Sequence, residues 1–230
     1  PTPAVHPHPL SQRQIQWDTH APDQDVGLAL HMIENVHVTP RVSPITKLYH
    51  RDATLYQPSS LAALNSGYGI VMHQGHANID KVSIGESELN SPDLDALANG
   101  DRGGVWYSVG CWSAAVDHDT FGEHWVLNDN GGGVAYVGNS RYGWGCPGYP
   151  GQCVSDLYSQ EFFASLFTRD QVHAGLVHAY ATHQYVGSAI GDDYMRYAMY
   201  ELNLIGDPEM QIWTDTPVAL TVVHDDTAQA

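Results

Sequence analysis

The sequence predicts an α/β layer fold with a largely parallel sheet, on two observations. Two short apolar runs each stop at a reactive side chain: Tyr68-Gly-Ile-Val-Met-His-Gln-Gly-His76 and Val105-Trp-Tyr-Ser-Val-Gly-Cys111. Candidate strands also alternate with helical stretches, as parallel strands joined by crossover helices do. In an open parallel sheet, neighbouring strands deliver their carboxyl ends to one crevice, where ligands bind. A histidine and a cysteine brought there can act as proton acceptor and nucleophile.

The elements follow in chain order. Residues 1–12 are rich in Pro and His and read as an extended arm. Asp18 to Asp25 is an acidic loop, so residues 1–25 stand apart as arm and loop. Val26 to Val36 has helical spacing, with Leu28, Leu30 and Ile33 near one side. Ile45 to His50 is a short strand. Ser59 or Ser60 caps a short helix through Leu64, which Gly67 breaks before the strand ending at His76. Asp93 to Ala98 is a helix stopped by Gly100, and the strand into Cys111 follows. Phe121 to Leu127 is helical, and Val134-Ala-Tyr-Val137 is a third buried strand. It runs into Gly138-Asn-Ser-Arg-Tyr-Gly-Trp-Gly145, a loop of aromatic and polar groups. Helices cover Leu157 to Thr168, Gln171 to Gly187 and Asp192 to Leu204, and a last strand covers Met210 to Trp213. Residues 26–215 form the main domain. Residues 216–230 alternate like a strand and read as a linker or the start of a β-rich domain. No internal repeat is visible.

Composition narrows the function. Hydrophobic residues make up 43% of the 230, enough for a packed core, and charged residues only 15%. The net charge of −17, from 26 acidic and 9 basic side chains, disfavours nucleic acid, because phosphate binding needs clusters of Lys and Arg. An acidic field instead attracts cationic peptides or divalent cations, and it also keeps an extracellular protein soluble. There is no apolar stretch of about 18 residues to span a membrane. The chain starts at Pro1 without Met and shows no signal peptide, which fits either a removed targeting segment or a trimmed sequence.

Three cysteines remain. Cys146 and Cys153 flank Pro-Gly-Tyr-Pro-Gly-Gln, whose Gly and Pro permit the reversal that a short bridge requires. A Cys146–Cys153 disulfide leaves Cys111 as a lone thiol at a strand end, and it points to an oxidising compartment. The bland alternatives are three unrelated reduced thiols, and a Cys111 that only packs.

These residues carry a resemblance. Gly75-His76 after its apolar strand resembles the catalytic histidine motif of the gingipain family of cysteine peptidases. Ser108-Val-Gly-Cys111 resembles that family's nucleophile strand, 35 residues downstream of the histidine. Gly132 to Trp144 looks like its next strand and pocket loop, and Asn203-Leu-Ile-Gly-Asp-Pro-Glu-Met210 like its closing Gly-Asp-Pro signature. The four ordered matches cover roughly residues 60–215.

The resemblance implies a caspase-like three-layer sandwich, with a mostly parallel sheet flanked by helices. It implies a cysteine endopeptidase that needs no cofactor and cleaves polypeptides, with a preference for basic residues open. Cys111 is the implied nucleophile and His76 its proton partner. Backbone N–H groups of Cys111 and of the residue beside His76 form the implied oxyanion hole. The family pattern has Gly after the histidine and Ala before the cysteine; here those positions hold Ala77 and Gly110. Tyr142 and Trp144 either wall the specificity pocket or simply pack. Asp18, after Gln14-Ile-Gln-Trp17, is the candidate third member that would orient His76. Asp23 and Asp25 either floor a pocket for Lys or Arg or form a solvated loop. His73 competes with His76, but period-two alternation turns it to the opposite face of the strand.

Part of the family's catalytic region upstream is expected to be absent, and a further chain from the same precursor is an expected partner. Secretion or cell-surface display is the expected location. A catalytically inactive homologue that binds peptides, or a structural component of an extracellular assembly, is the alternative.

Fourteen histidines raise the question of a metal. No His-Glu-x-x-His or Cys-x-x-Cys pattern occurs. His173, His178 and His183 are five apart, which rotates each about 140° on a helix and off a common face. Structural calcium on loop carboxylates such as Asp117 and Asp119 stays open, though there is no EF-hand loop.

Overall fold

The structure, a computed structural model, describes residues 14–18 (backbone only), 33, 37–38, 45–146 and 148–214. Its elements in order are β1 (Gln14–Asp18), β2 (Ile45–Tyr49), α1 (Gln57–Ser66), β3 (Ile70–Gln74), β4 (Ala77–Asn78), β5 (Lys81–Ile84) and β6 (Ser87–Asn90). They continue with α2 (Ser91–Asp95), β7 (Val105–Ser108), α3 (Phe121–Leu127), β8 (Ala135–Asn139) and α4 (Val154–Phe167). α5 (Ala174–His183), α6 (Val186–Ala189), α7 (Asp193–Glu201) and β9 (Leu202–Gly206) complete the series.

Alternation in the short apolar runs sets the architecture. Ile70 and Met72 of β3, Val105 and Tyr107 of β7, and Ala135 and Val137 of β8 share one face of the sheet. There they meet Tyr158, Phe162, Phe163 and Val177 of α4 and α5. Val71, Trp106 and Tyr136 take the opposite face, with Leu64, Leu94, Phe121 and Trp125 of α1, α2 and α3. Both faces are covered, so the central strands read as continuous apolar runs and the molecule has three layers. The strand order is β2-β1-β3-β7-β8-β9, parallel throughout except for β9, which runs antiparallel to β8. The expected caspase-like fold class is therefore the one observed.

Local chemistry explains two helix starts. Thr120 and Glu123 form a reciprocal cap that starts α3, as the spacing Thr-x-x-Glu predicts. Asp192 accepts from the N–H groups of Tyr194 and Met195 and starts α7.

Four expectations are corrected. The helix expected to be capped by Ser59 or Ser60 begins earlier, at Gln57 after Tyr56, with Ser59 at its third position. The helix expected through Leu204 stops at Glu201, and Leu202–Gly206 is strand β9. Its leucines and isoleucine suit either state, and the open edge of β8 decides it. The strand expected over Met210 to Trp213 reduces to one bridge between Gln211 and His173. The helix expected from Gln171 to Gly187 divides into α5 and the short α6. A three-stranded antiparallel unit, β4-β5-β6, also interrupts the stretch after His76. Of the expected helix over Val26 to Val36, only Ile33 is described in helical form; Asp23, Asp25 and residues 216–230 lie outside the described residues.

Candidate active site

β3 and β7 lie side by side and parallel, in register from Ile70 opposite Val105 to His73 opposite Ser108. Their carboxyl ends therefore open at the same sheet edge. His76 follows β3 by two residues and Cys111 follows β7 by three. Both line one cleft of about 330 Å³, with Gln74, Gly75, Gly110, Gly143, Trp144 and Asp156 among its walls. His76 is exposed and Cys111 half-buried.

The thiol is built in from several sides. Cys111 carries no disulfide. Its Sγ accepts from the N–H of Gly143 at 3.3 Å and lies 3.8 Å from the Gly143 carbonyl, to which its S–H can donate. Gly143 must lack a side chain, because a Cβ there would run into the Val109 carbonyl. Buried Asn139, the last residue of β8, donates from Nδ2 to the carbonyls of Val109 (3.0 Å) and Gly110 (3.1 Å). Ser108 Oγ accepts from the Gly110 N–H at 3.1 Å. After Cys111 the chain turns through Trp112 at φ 61°, a left-handed conformation that a bulky residue adopts at a cost of about 1–2 kcal/mol. The Trp112 N–H donates to the Arg141 carbonyl at 2.6 Å, and the Arg141 guanidinium stands 4.7 Å over its ring. Among the described residues, the N–H groups of Gly110 and Trp112 are engaged, whereas that of Cys111 has no hydrogen-bond partner.

The loop after β8 closes the other wall. The Tyr142 N–H donates to Glu201 Oε2 at 3.1 Å, and burial raises the Glu201 carboxyl above its ordinary value. The Trp144 N–H donates to Ser155 Oγ at 2.8 Å. The Trp144 ring lies between those of Tyr142 and Tyr194, at centroid distances of 5.9 Å and 4.8 Å. Trp144 lines the cleft; Tyr142 stands beside it, exposed, in ring contact with Trp112. The Cys146–Cys153 disulfide is present and ties the end of this loop to the start of α4.

Asp156 is a site residue that the sequence did not suggest. It is 3% exposed and lines the cleft. Its carboxylate accepts from Gln74 Nε2 (2.8 Å), the Gly151 N–H (3.1 Å) and the Cys153 N–H (3.3 Å). It thus joins the end of β3 to the disulfide loop. Gln74 Oε1, also buried, has no hydrogen-bond partner. A signal existed in the acidic residue three places after Cys153, at the start of a helix.

The chain as a whole has counterparts. The model of Peptidase family C25 matches residues 25–213. The chain belongs to peptidase family C25. No curated protein matches it. Among solved structures, it is similar to the Arg-specific cysteine proteinase gingipain R, with a TM-score of 0.74 and 17% identity over 91% of this chain and 49% of that one. It is also similar to a structure described as a protease (TM-score 0.71, 15% identity, 95% and 52% coverage). A third match is the complex of Porphyromonas gingivalis RgpB pro- and mature domains (0.69, 14%, 91% and 50%). The chain therefore spans about half the length of the solved structures it matches, and at these identities they show the shared fold.

The remaining candidates divide around this C25 cleft. Asp18 closes β1 in register with Gln74, so the topology brings it to the edge where His76 stands; its side chain is not described. His73 is fully buried, with Nδ1 2.9 Å from Ser108 Oγ and Nε2 3.2 Å from the Ser83 carbonyl. Among the described residues, no group of three or more His, Cys, Asp or Glu is placed to hold a metal ion. Asp117 accepts from Nη1 and Nη2 of Arg141 (3.1 and 3.0 Å), and Asp119 meets His124 Nε2 at 3.1 Å. No helix among the described residues is long and apolar enough to cross a membrane.

Proposed function

We propose that this protein is a cysteine endopeptidase working through a Cys111–His76 dyad. The observation that carries the reading is that the two side chains, from separate strands of one parallel sheet, line a single open cleft. His76 takes the thiol proton of Cys111, and the thiolate attacks the scissile carbonyl carbon. A C–S bond forms and charge develops on the carbonyl oxygen. Two N–H groups are available to stabilise it. The first is that of Cys111. The second is that of Ala77: the Ser83 N–H donates to the His76 carbonyl at 2.9 Å, so the Ala77–Val82 pair is a non-hydrogen-bonded one and the Ala77 N–H points away from β5. The C–N bond then breaks as His76 returns the proton to the leaving amine, and water hydrolyses the thioester.

The cleft favours a basic side chain before the scissile bond. Its described lining holds the Asp156 carboxylate, the unpartnered Gln74 Oε1 and the Trp144 ring, and no Lys or Arg. Two acceptors beside an aromatic wall suit a guanidinium or ammonium group. The disulfide supports action outside the reducing interior of a cell. A further chain from the same precursor fits as a partner, since the solved RgpB complex pairs the pro- and mature domains of that protein.

The test is turnover of a peptide library by the wild type and by Cys111→Ala. We expect cleavage that disappears in the variant, with Arg or Lys preferred by about 100-fold over uncharged residues. Slow, nonselective alkylation of Cys111 with no turnover would identify an inactive homologue instead. Turnover that prefers apolar or acidic residues would overturn the assignment of the pocket alone.

A further inference from the structure

The dyad just proposed needs its two segments held at a fixed separation, and beyond the β3–β7 pairing one close approach lies between them. Gly110, immediately before Cys111, faces Ala77, immediately after His76. A Cβ built on Gly110 would fall well inside van der Waals contact of the Ala77 Cβ, and 3.1 Å from both the Ala77 nitrogen and the Gly75 carbonyl oxygen. The Gly110 backbone does not lie in the left-handed region, so what bars a side chain there is space alone. Remove the Ala77 methyl, and the remaining contacts of a Gly110 Cβ are tight but need only a few tenths of an ångström of give. We infer that Ala77 and Gly110 are positioning residues that share one methyl-sized slot, and that this slot fixes the placement of His76 and the Ala77 N–H against Cys111.

The two sides of the slot differ in how they would answer a clash. The Gly110 side is held by Asn139 on two successive carbonyls and by Ser108 on the Gly110 N–H. The Ala77 side belongs to the two-residue strand β4, joined to β5 next to the Ser83–His76 bond. A second methyl in the slot therefore pushes β4 outward and carries His76 away from the thiol. An empty slot lets β4 settle inward, a smaller change.

Because this rests on the dyad reading, the experiment has two readouts. Gly110→Ala, Ala77→Gly and the double variant are compared for peptide turnover and for the rate of Cys111 alkylation by iodoacetamide across pH. We expect Gly110→Ala to lower kcat by at least about 30-fold with little change in KM, and to shift the pH profile of alkylation, as a displaced imidazole requires. Ala77→Gly should cost about threefold. The double variant should recover to within about threefold of wild type, although it carries the same substitution at position 110. If Gly110→Ala fails to fold, the double variant must fold and react. Gly110→Ala with wild-type kcat and an unshifted alkylation profile, or a double variant no better than Gly110→Ala, would overturn the slot. If the wild type turns over no peptide, the dyad reading fails, whereas the alkylation cycle still decides whether the slot couples the segments.

Discussion

The cysteine side and the histidine side of the cleft are built to different standards. The segment 108–112 enters its turn with both preceding carbonyls bonded by Asn139, its Gly110 N–H bonded by Ser108, and its exit locked by Arg141. His76 leaves β3 through Gly75 and enters a hairpin whose first strand has two residues. One side stores backbone strain at Trp112 and is held by buried polar bonds; the other carries an exposed His76 at the head of a short hairpin. A nucleophile must meet the substrate carbonyl along a defined line, whereas a proton acceptor tolerates more freedom. Under the proposed dyad, the difference falls where the chemistry allows it.

The largest effect expected from this contrast is on Asn139. Asn139→Ala leaves the Val109 and Gly110 carbonyls without their donor in a buried site and should cost about 2–4 kcal/mol of stability. His76→Ala, on the exposed side, should change stability by less than half as much while abolishing turnover. Urea unfolding midpoints of the two variants check both values. Equal shifts would show that the two sides are held alike, and the contrast would go.

The disulfide loop comes next. Cys146→Ser with Cys153→Ser opens a short loop whose closure contributes about 2 kcal/mol in the chain-entropy account. The same loop supplies Gly148 and Pro150 to the cleft and the Gly151 N–H to Asp156. KM for a substrate with a basic residue should therefore rise about tenfold, with kcat changed less, because the thiol has its own supports. A fall in kcat at constant KM would show that the loop acts on the nucleophile instead.

Legibility in the sequence follows the same division. Val105 to Cys111 announced its strand, its end and its thiol, because a buried parallel strand leaves a continuous apolar signature. The family motifs then pointed to the fold. The hairpin after His76 went unread: β4 to β6 have two to four residues each, and their burial of Val82, Ile84 and Leu89 is too brief to establish a period. Asp156 was hidden for another reason, since its partners Gln74 and Gly151 come from distant or irregular segments that only the fold assembles. Ala77 and Gly110 were visible as two separate departures from the family pattern. Only their contact in space shows that they concern a single methyl group.

Arg141 sharpens the contrast at a smaller scale. Its guanidinium covers Trp112 and pairs with exposed Asp117, which holds the Asp117 carboxyl below its ordinary value. Arg141→Ala should cost about 1 kcal/mol or less. It should nonetheless slow kcat several-fold, because Trp112 loses the cover that keeps it in its strained turn. Arg141→Lys keeps the charge but lacks the planar fork, and should restore less than half of the loss. Unchanged kcat in Arg141→Ala would show that the turn is held by its backbone alone.

The smallest expected effect separates the two sides by pH. His124 reaches Asp95 at 2.7 Å through Nδ1 and Asp119 at 3.1 Å through Nε2. Desolvation lowers its pKa, but the two carboxylates outweigh it and the net direction is upward from 6.5. A histidine whose folded value is raised stabilises the fold fully below about pH 6.5 and loses that contribution as pH rises through the folded value. The pairs are at the surface, so the whole effect should stay below about 1 kcal/mol. Its location matters more than its size. His124 joins α2 and the 117–120 turn to α3, and the Phe121 N–H at the start of α3 donates to the Ile79 carbonyl in the β4–β5 turn, at 2.7 Å. Raising pH should therefore loosen the histidine side first. Amide exchange in residues 77–84, corrected for its intrinsic pH dependence, should lose protection above pH 6.5, and His124→Gln should abolish that change. Residues 108–112 and 139–144 touch the 117–120 turn through Trp112 with His118 and Arg141 with Asp117, but they contact neither His124 nor the β4–β5 turn, and should lose less protection than residues 77–84. His178 works in the opposite direction on the far face, where burial lowers its pKa and the stability it allows is lost as pH falls below about 6.5. Alkaline loss of protection spread equally over both sides of the cleft would mean that His124 steadies the whole domain rather than the hairpin that carries His76.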